Sequence, residues 1–345
     1  MTLRANDEQL ATLKFGVGQP VLRNEDPALV QGRGRYTDDV NAPGQVYMAM
    51  VRSSVAHGTI RSIDVSAACE MPGVIAIYTG ADLEAKGYGP YPFRVALNNR
   101  DGSPLVKPKR YALATKKVSF VGDSIACVIA ETAAQAQDAA EAVAVEIDEL
   151  PAIVDMRDAV KPGAPQIVDE VPGNVALDYH FGDSAAVEKA FAQAAHVTKL
   201  RLIDQRIVVN AMEPRACLAE YDVKSERFTL HAPTQGVTGS QAGAAEMMKV
   251  PADKVRFVAI NVGGSFGLKG SMFPEYICAM HAARELKKPI KWTDKRSESF
   301  LSDHHGRAQD FDCELALDKE GHFLAVRANG FGDLGAYRSE EHTSE

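Results

Sequence analysis

Cysteine is scarce in this 345-residue chain, and the five present, Cys69, Cys127, Cys217, Cys278 and Cys313, stand far apart. That dispersion excludes a zinc knuckle, a thioredoxin-like pair and an iron–sulfur run, all of which need short cysteine spacings. An odd number of separated thiols fits a reducing compartment. Most of them are expected as small core residues. Long apolar runs are also missing. No stretch reaches the roughly 18 apolar residues that span a bilayer, and Met1 to Lys14 lacks the apolar segment of a secretory signal. These absences predict a soluble, cytoplasmic protein with no membrane segment. A basic stripe is lacking too. The net charge is −8, and the basic clusters are short: Lys107, Lys109 and Arg110; Lys116 and Lys117; Lys287 and Lys288. Solvated faces account for each, so no nucleic-acid partner is expected.

What is there describes an ordinary globular chain. Hydrophobic residues make up 46% and charged residues 24%, which argues against disorder. The length predicts two or three domains. Residues 1–28 read as an extended arm punctuated by Gly16, Gly18, Pro20 and Pro27. Strands are predicted at Val46 to Arg52, Gly73 to Thr79 and Ser124 to Ala130, with a loop or lid over 84–116. Thr132 and Gln135 form a capping-box pattern before an alanine-striped helix, and Val145 to Ile147 returns as a strand. This order predicts an α+β domain over 29–155. Pro162, Gly163, Pro165, Pro172 and Gly173 mark a linker, placed at 156–180. A second domain then runs over 181–337. It opens on a helix capped by Asp183 and continues with strands at His196–Ile203, Arg215–Tyr221 and Phe228–His231. Beyond lie a helix at Gln241–Lys249, a buried strand over Val255–Val262, and a helix opened by Pro274 and stopped by Pro289. Strands at Ile290–Thr293, Phe311–Leu317 and Leu324–Gly330 close the series.

The most informative local feature is the glycine-rich loop Gly263-Gly-Ser-Phe-Gly-Leu-Lys-Gly270. Four glycines after a buried strand imply close backbone approach or unusual dihedrals; a plain tight turn would also use them. A phosphate loop fails on the position of Lys269, and a dinucleotide fingerprint fails on the glycine spacing. Gly263 to Gly267 does match the hydrolase elbow G-x-S-x-G, with Ser265 as nucleophile and Asp303 with His304 or His305 as partners in the right chain order. An elbow needs its helix to begin at the serine, whereas here the helix is predicted near Pro274. His304 and His305 read as surface residues, and His57 and His281 as isolated satisfied histidines. Gln235, after the strand ending near His231, is either a turn residue or an amide donor into a cleft.

Taken in order, several stretches resemble the molybdenum-cofactor-binding large subunit of the xanthine dehydrogenase and aldehyde oxidase family, in particular its carbon monoxide dehydrogenase-like subgroup. They are Gly32-Arg-Gly-Arg-Tyr-Thr-Asp-Asp39, Val51 to His57, Val121 to Thr132, Met212-Glu-Pro-Arg215, Ala232-Pro-Thr-Gln235, Val262 to Lys269, Lys291 to Glu298 and Gly332 to Tyr337. The resemblance implies an α/β hammerhead domain followed by the first part of a molybdopterin-binding domain. It implies a molybdopterin cofactor in its cytosine dinucleotide form. The implied reaction is hydroxylation of an aldehyde or N-heterocycle with oxygen from water. It also implies partner subunits carrying FAD and [2Fe–2S] clusters.

By the same resemblance Gln235 matches a glutamine that hydrogen-bonds a molybdenum ligand. Phe266 and Gly267 match the pair whose backbone reaches the metal's oxo group, and Gly264 belongs to the same cofactor loop. Ser265 stands where many members have glycine. Gly270 stands where xanthine-oxidising members have an acidic residue, which speaks against a purine substrate. No catalytic residue is expected within this chain, because the family's glutamate base lies in the C-terminal half. The chain is therefore expected to be the N-terminal piece of a longer subunit, inactive and aggregation-prone alone. Its last eight residues, Arg338 to Glu345, resemble the in-frame translation of a sequencing adapter, leaving Tyr337 as the last natural residue.

Overall fold

A computed structural model of the chain describes residues 23–335. The expected adapter tail and most of the expected N-terminal arm lie outside the described residues. Residues 23–35 belong to a separate small unit. There Pro27 opens one turn of helix, Asp26–Leu29, and Arg23 pairs with Asp26 at 2.7 Å.

From Tyr36 onward the strands are β1 (Val46–Arg52), β2 (Gly58–Asp64), β3 (Val74–Thr79), β4 (Lys117–Val118), β5 (Ser124–Ala130) and β6 (Ala144–Glu149). Then come β7 (His196–Asp204), β8 (Ile207–Val208), β9 (Ala216–Asp222), β10 (Arg227–His231), β11 (Val255–Val258) and β12 (Ile290–Thr293). The last are β13 (His305–Gly306), β14 (Gln309–Leu317) and β15 (Phe323–Gly332). The longer helices are α1 (Ala133–Ala142), α2 (Ser184–Gln193), α3 (Val237–Met248), α4 (Pro274–Leu286) and α5 (Arg296–Ser302).

Seven strands form one mixed sheet in the order β11-β10-β9-β12-β1-β5-β3. Strand β5 shows how this sheet is buried. All seven of its residues are inside, and they alternate between two cores. Cys127 and Ile129 face a core shared with α3 and α4, while Ala126, Val128 and Ala130 face a smaller core closed by Ala136, Ala139 and Ala140 of α1. A strand covered on both faces reads as a continuous apolar run. Helix α1 starts as the sequence predicts: Thr132 Oγ1 accepts the Gln135 N–H at 3.2 Å and donates to Gln135 Oε1 at 3.0 Å. Three of the five cysteines, Cys127, Cys217 and Cys278, are core residues.

The sheet runs across the predicted linker. Strand β1 pairs in parallel with β12, Val46 opposite Ile290, so strands from either side of residues 156–180 share one set of hydrogen bonds. Two smaller sheets of three strands each, β4-β2-β6 and β15-β14-β7, flank it. The linker itself is fastened down. Arg157 and Arg201 both grip the carboxylate of Asp310 on β14.

Expectations for two segments need correction. The segment 84–116 is not an open lid. It has little regular structure, yet Gly89 N–H donates to Met247 at 2.8 Å, Val106 N–H to Ala176 at 3.0 Å and Ala114 N–H to Ser124 at 2.7 Å. Tyr88, Leu105 and Leu113 anchor it in the interior. Arg110 is likewise not on a solvated face; it lies over the rings of Tyr91 and Phe120. The second correction concerns β11, which ends at Val258 rather than Val262. Its parallel partner β10 stops at His231, two residues before Pro233, and a proline cannot continue the ladder.

Candidate functional site

The glycine loop rises from the end of β11 and is held from beneath by Glu213. The Glu213 carboxylate accepts the Gly263 N–H at 2.8 Å and Lys269 Nζ at 2.8 Å. The backbone of Glu213 closes the same junction: its N–H donates to the Gly263 carbonyl at 3.0 Å, and its own carbonyl accepts from Lys269 Nζ at 2.9 Å. Gly263 must be glycine for this approach, because a Cβ there would stand 2.5 Å from the Glu213 Cβ. Lys269 is fully buried; burial lowers its pKa, opposed by the hydrogen bond and charge of Glu213.

Above this base the loop turns with positive φ at Gly264 (+99°), Phe266 (+50°) and Gly267 (+95°). The descending side is closed by its own bonds: Leu268 N–H to the Ser265 carbonyl, Lys269 N–H to Ser265 Oγ at 3.0 Å and Gly270 N–H to the Gly267 carbonyl. Among the described residues, the four consecutive N–H groups of Gly264, Ser265, Phe266 and Gly267 donate to no protein acceptor. Successive amides in mixed right- and left-handed conformations form a concave anion-binding nest. The Phe266 side chain is 77% exposed above it.

Gln235 joins this loop. Its N–H donates to the Lys269 carbonyl at 3.1 Å, and a Cβ on Gly270 would lie 3.4 Å from Gln235 Oε1. The Gln235 amide is exposed and makes no side-chain hydrogen bond among the described residues. Helix α3 begins two residues later, after Thr234 Oγ1 accepts the Gly236 N–H and bonds Ser240 Oγ. The structure therefore brings Gln235 against the loop that carries Gly264, Phe266 and Gly267, and each of the four has an unused donor among the described residues. A cavity of about 1530 Å³ between residues 105–184 and β15 lies elsewhere, and none of these four residues lines it.

A second layer supports the first. Arg215 is wholly buried and binds Glu275 Oε2 at 2.6 Å, Asp303 Oδ1 at 2.6 Å and Ser302 Oγ at 2.7 Å, with Asp294 more distant at 3.4 Å. Its guanidinium lies over the rings of Phe273 and Trp292. Arg52 on β1 adds a second cation to Glu275 at 2.6 Å. Burial alone would raise the Glu275 pKa, but Arg215 and Arg52 win and hold it at about 2. Asp294 goes the other way: burial, helped by the neighbouring Glu298 and Glu275 carboxylates, lifts it to about 7. Two guanidinium groups cannot satisfy three buried carboxylates at equal range, and the most distant one keeps its proton longest.

This network removes the hydrolase reading. Ser265 Oγ is occupied by the Lys269 N–H, the Asp303 carboxylate is taken by Arg215, and the helix begins at Pro274. His304 is not a surface residue either; it is buried against Phe273 with Arg110 beside it. His57 and His281 are buried and bonded through Nδ1, to the Pro151 carbonyl and the Tyr88 hydroxyl. Among the described residues, the one group of side chains close enough to share a metal is Asp318, Glu320 and His322. It sits in the β14–β15 turn, which the Asp318 carboxylate organises. Sequence reasoning missed Glu213 and Lys269 as a pair. Lys269 was weighed only as a phosphate-loop lysine, and no periodicity links it to a glutamate 56 positions earlier.

Comparison with known proteins adds an independent line. Residues 31–151 match the aldehyde oxidase and xanthine dehydrogenase α/β hammerhead domain, and residues 167–344 match the molybdopterin cofactor-binding domain. The nicotine 6-hydroxylase large subunit of Paenarthrobacter nicotinovorans is 33% identical over 95% of this chain and 39% of its own length. The carbon monoxide dehydrogenase large chain of Hydrogenophaga pseudoflava is also 33% identical, over 91% of this chain and 39% of its own. The solved quinoline 2-oxidoreductase from Pseudomonas putida 86 superposes with a TM-score of 0.80 at 31% identity, covering 90% of this chain and 38% of that one. The chain thus spans about two-fifths of the length of these relatives. It belongs to the molybdopterin-binding large-subunit family of the aldehyde oxidases and xanthine dehydrogenases.

Proposed function

We propose that this chain supplies the hammerhead domain and one wall of the cofactor site in the large subunit of a molybdenum hydroxylase. The observation that carries this reading is the row of four unpartnered N–H groups at Gly264 to Gly267, with the free Gln235 amide beside it. Such unpartnered donors suit an anionic or oxo ligand, and donors held in place before it arrives are the condition for electrostatic stabilisation. Bound molybdopterin, in its cytosine dinucleotide form, would supply the redox chemistry by which an aldehyde or N-heterocycle gains oxygen from water. The protein's part is to position and to donate. Gly267 lets the backbone approach without a Cβ, Phe266 and Gly267 present their N–H groups, and Gln235 contributes a side-chain donor.

The resemblance places the family's glutamate base outside the stretches matched here, and the proposal assigns turnover to the full-length subunit. FAD-binding and [2Fe–2S] partner subunits belong to the same proposal, since this chain's cysteines are dispersed and three of them are core residues. No described helix is long and apolar enough to cross a membrane, and a cytoplasmic location is proposed with the rest. The test is metal and pterin analysis of the full-length subunit purified with its partners. About one molybdenum per large subunit, with CMP released on acid hydrolysis, is the expected result. A complex free of both metal and pterin would replace this reading with a non-catalytic subunit of the same fold.

A further inference from the structure

We infer that the buried Glu213–Lys269 pair is the positioning device that holds the Gly264–Gly267 amides in their donating arrangement; the link to a cofactor rests on the function proposed above. One carboxylate grips both ends of the loop, the Gly263 N–H on the ascending side and Lys269 Nζ on the descending side, each at 2.8 Å. The backbone of Glu213 adds a bond to each end, to the Gly263 carbonyl and from Lys269 Nζ. The four free amides lie between these two anchors, so the loop's span is set by one residue outside it. Both charges are almost fully withdrawn from water, Lys269 completely. A buried ion pair adds little net stability against an apolar replacement, but breaking it by removing one partner leaves an unpaired charge. The pair is therefore better explained by what it fixes than by what it adds to stability. Both residues act through the loop they hold, so both are positioning residues.

The test uses the full-length subunit with its partners, comparing wild type, Lys269→Met, Lys269→Arg and the double variant Glu213→Leu/Lys269→Met. The readouts are amide exchange at Gly263, Leu268 and Lys269, and the g values of the metal's paramagnetic form. Lys269→Met should speed exchange at these amides by roughly tenfold to a hundredfold, the effect of losing charge-assisted hydrogen bonds. It should also shift the g values, and Lys269→Arg should restore both. The double variant removes both charges. It should therefore fold even if Lys269→Met does not, yet still show fast exchange at Gly263, which has lost its acceptor. Wild-type exchange and unchanged g values in Lys269→Met overturn the inference. So does a double variant with wild-type protection at Gly263. Were the wild-type complex to contain no molybdenum, the proposed function would fall, while the exchange data would still decide whether the pair holds the loop.

Discussion

The seven-stranded sheet and the three-stranded β15-β14-β7 sheet are built from similar residues but solve burial differently. In the large sheet the ionic groups are inside. Arg215, Arg52, Glu275, Asp294 and Asp303 form a closed network between β9, β1, β12 and the start of α4. In the small sheet every ion pair has a member that reaches solvent: the buried Asp310 is held by the partly exposed Arg157 and Arg201, and Arg327 pairs with Glu314 and with Glu188. The apolar residues are partly outside as well, with Leu200 57% and Val326 61% exposed. A buried network fixes geometry because every member depends on the others, and its centre, Arg215, is two residues from Glu213, which grips the glycine loop. The small sheet has no wholly buried ionic network of this kind and bears no candidate site residue.

The comparison is broken most directly by removing one arginine from each sheet. Arg215→Met should cost about 3–5 kcal/mol, since Asp303 and Asp294 lose their arginine and Glu275 keeps only Arg52. Trp292, the single tryptophan, lies beside Arg215 and reports the unfolding by fluorescence in urea. Arg327→Met should change the midpoint far less, because both its partners reach water. Equal losses in the two variants would show that burial does not distinguish these networks. Gly267→Val comes next. A branched residue at φ +95° carries strain of about 1–3 kcal/mol. The full-length subunit with this change should fold and yet contain little molybdenum. Full metal content with wild-type turnover would remove the loop from the cofactor site.

The pH dependence sharpens the same contrast. Asp294 has its folded pKa raised from 3.8 to about 7, so the folded chain keeps a proton that the unfolded chain releases. Its favourable contribution is complete below the unfolded value and is lost as pH rises through about 7. Glu275 behaves oppositely. Its pKa is lowered from 4.5 to about 2, so its contribution is present above 4.5 and disappears as pH falls through about 2. Asp294→Asn should flatten the decline in urea midpoint between about pH 4.5 and about pH 7.5. The groups facing Asp294 are Arg215, Glu275, Glu298 and the Ser299 hydroxyl, all retained in the variant. A decline unchanged by Asp294→Asn would assign the pH dependence elsewhere.

How much of this was legible in the sequence depended on distance along the chain. Local signals carried through: the Thr132 cap, the Asp183 cap, Pro274 opening α4 and the buried run of β5 all stand where pattern and propensity put them. Strand β2 was missed because Gly58–Asp64 is mostly exposed and its alternation is broken by a bulge near Ile60. The pairing of β1 with β12, 244 positions apart at Val46 and Ile290, leaves no periodic trace. The candidate site residues were named by resemblance to a family, since glycine spacing alone excluded two motifs and left a third open. Arg215 and Glu213 were visible as letters of one short motif. Their roles depend on Glu275, Asp303 and Lys269, which only the fold brings to them.

The smallest expected effect on stability concerns the small sheet. Leu200 and Leu202 on β7 lie on the same face as Val326 on β15, because Leu200 pairs with Cys313, and Leu315, two residues on, pairs with Val326. Residues two apart on a strand share a face. This apolar strip gives the 345-residue chain, purified by itself, a surface for self-association. Leu200→Lys combined with Val326→Glu should alter the urea midpoint by no more than about 0.5 kcal/mol per site, as exposed substitutions do. Light scattering should nevertheless show the wild-type chain as a concentration-dependent oligomer or aggregate and the double variant as closer to monomer. The two measurements separate causes. If both proteins aggregate alike, the exposed strip is not what drives association. If the double variant also loses several kcal/mol, the strip is packed rather than exposed, and the contrast between the two sheets fails on the side of the small one.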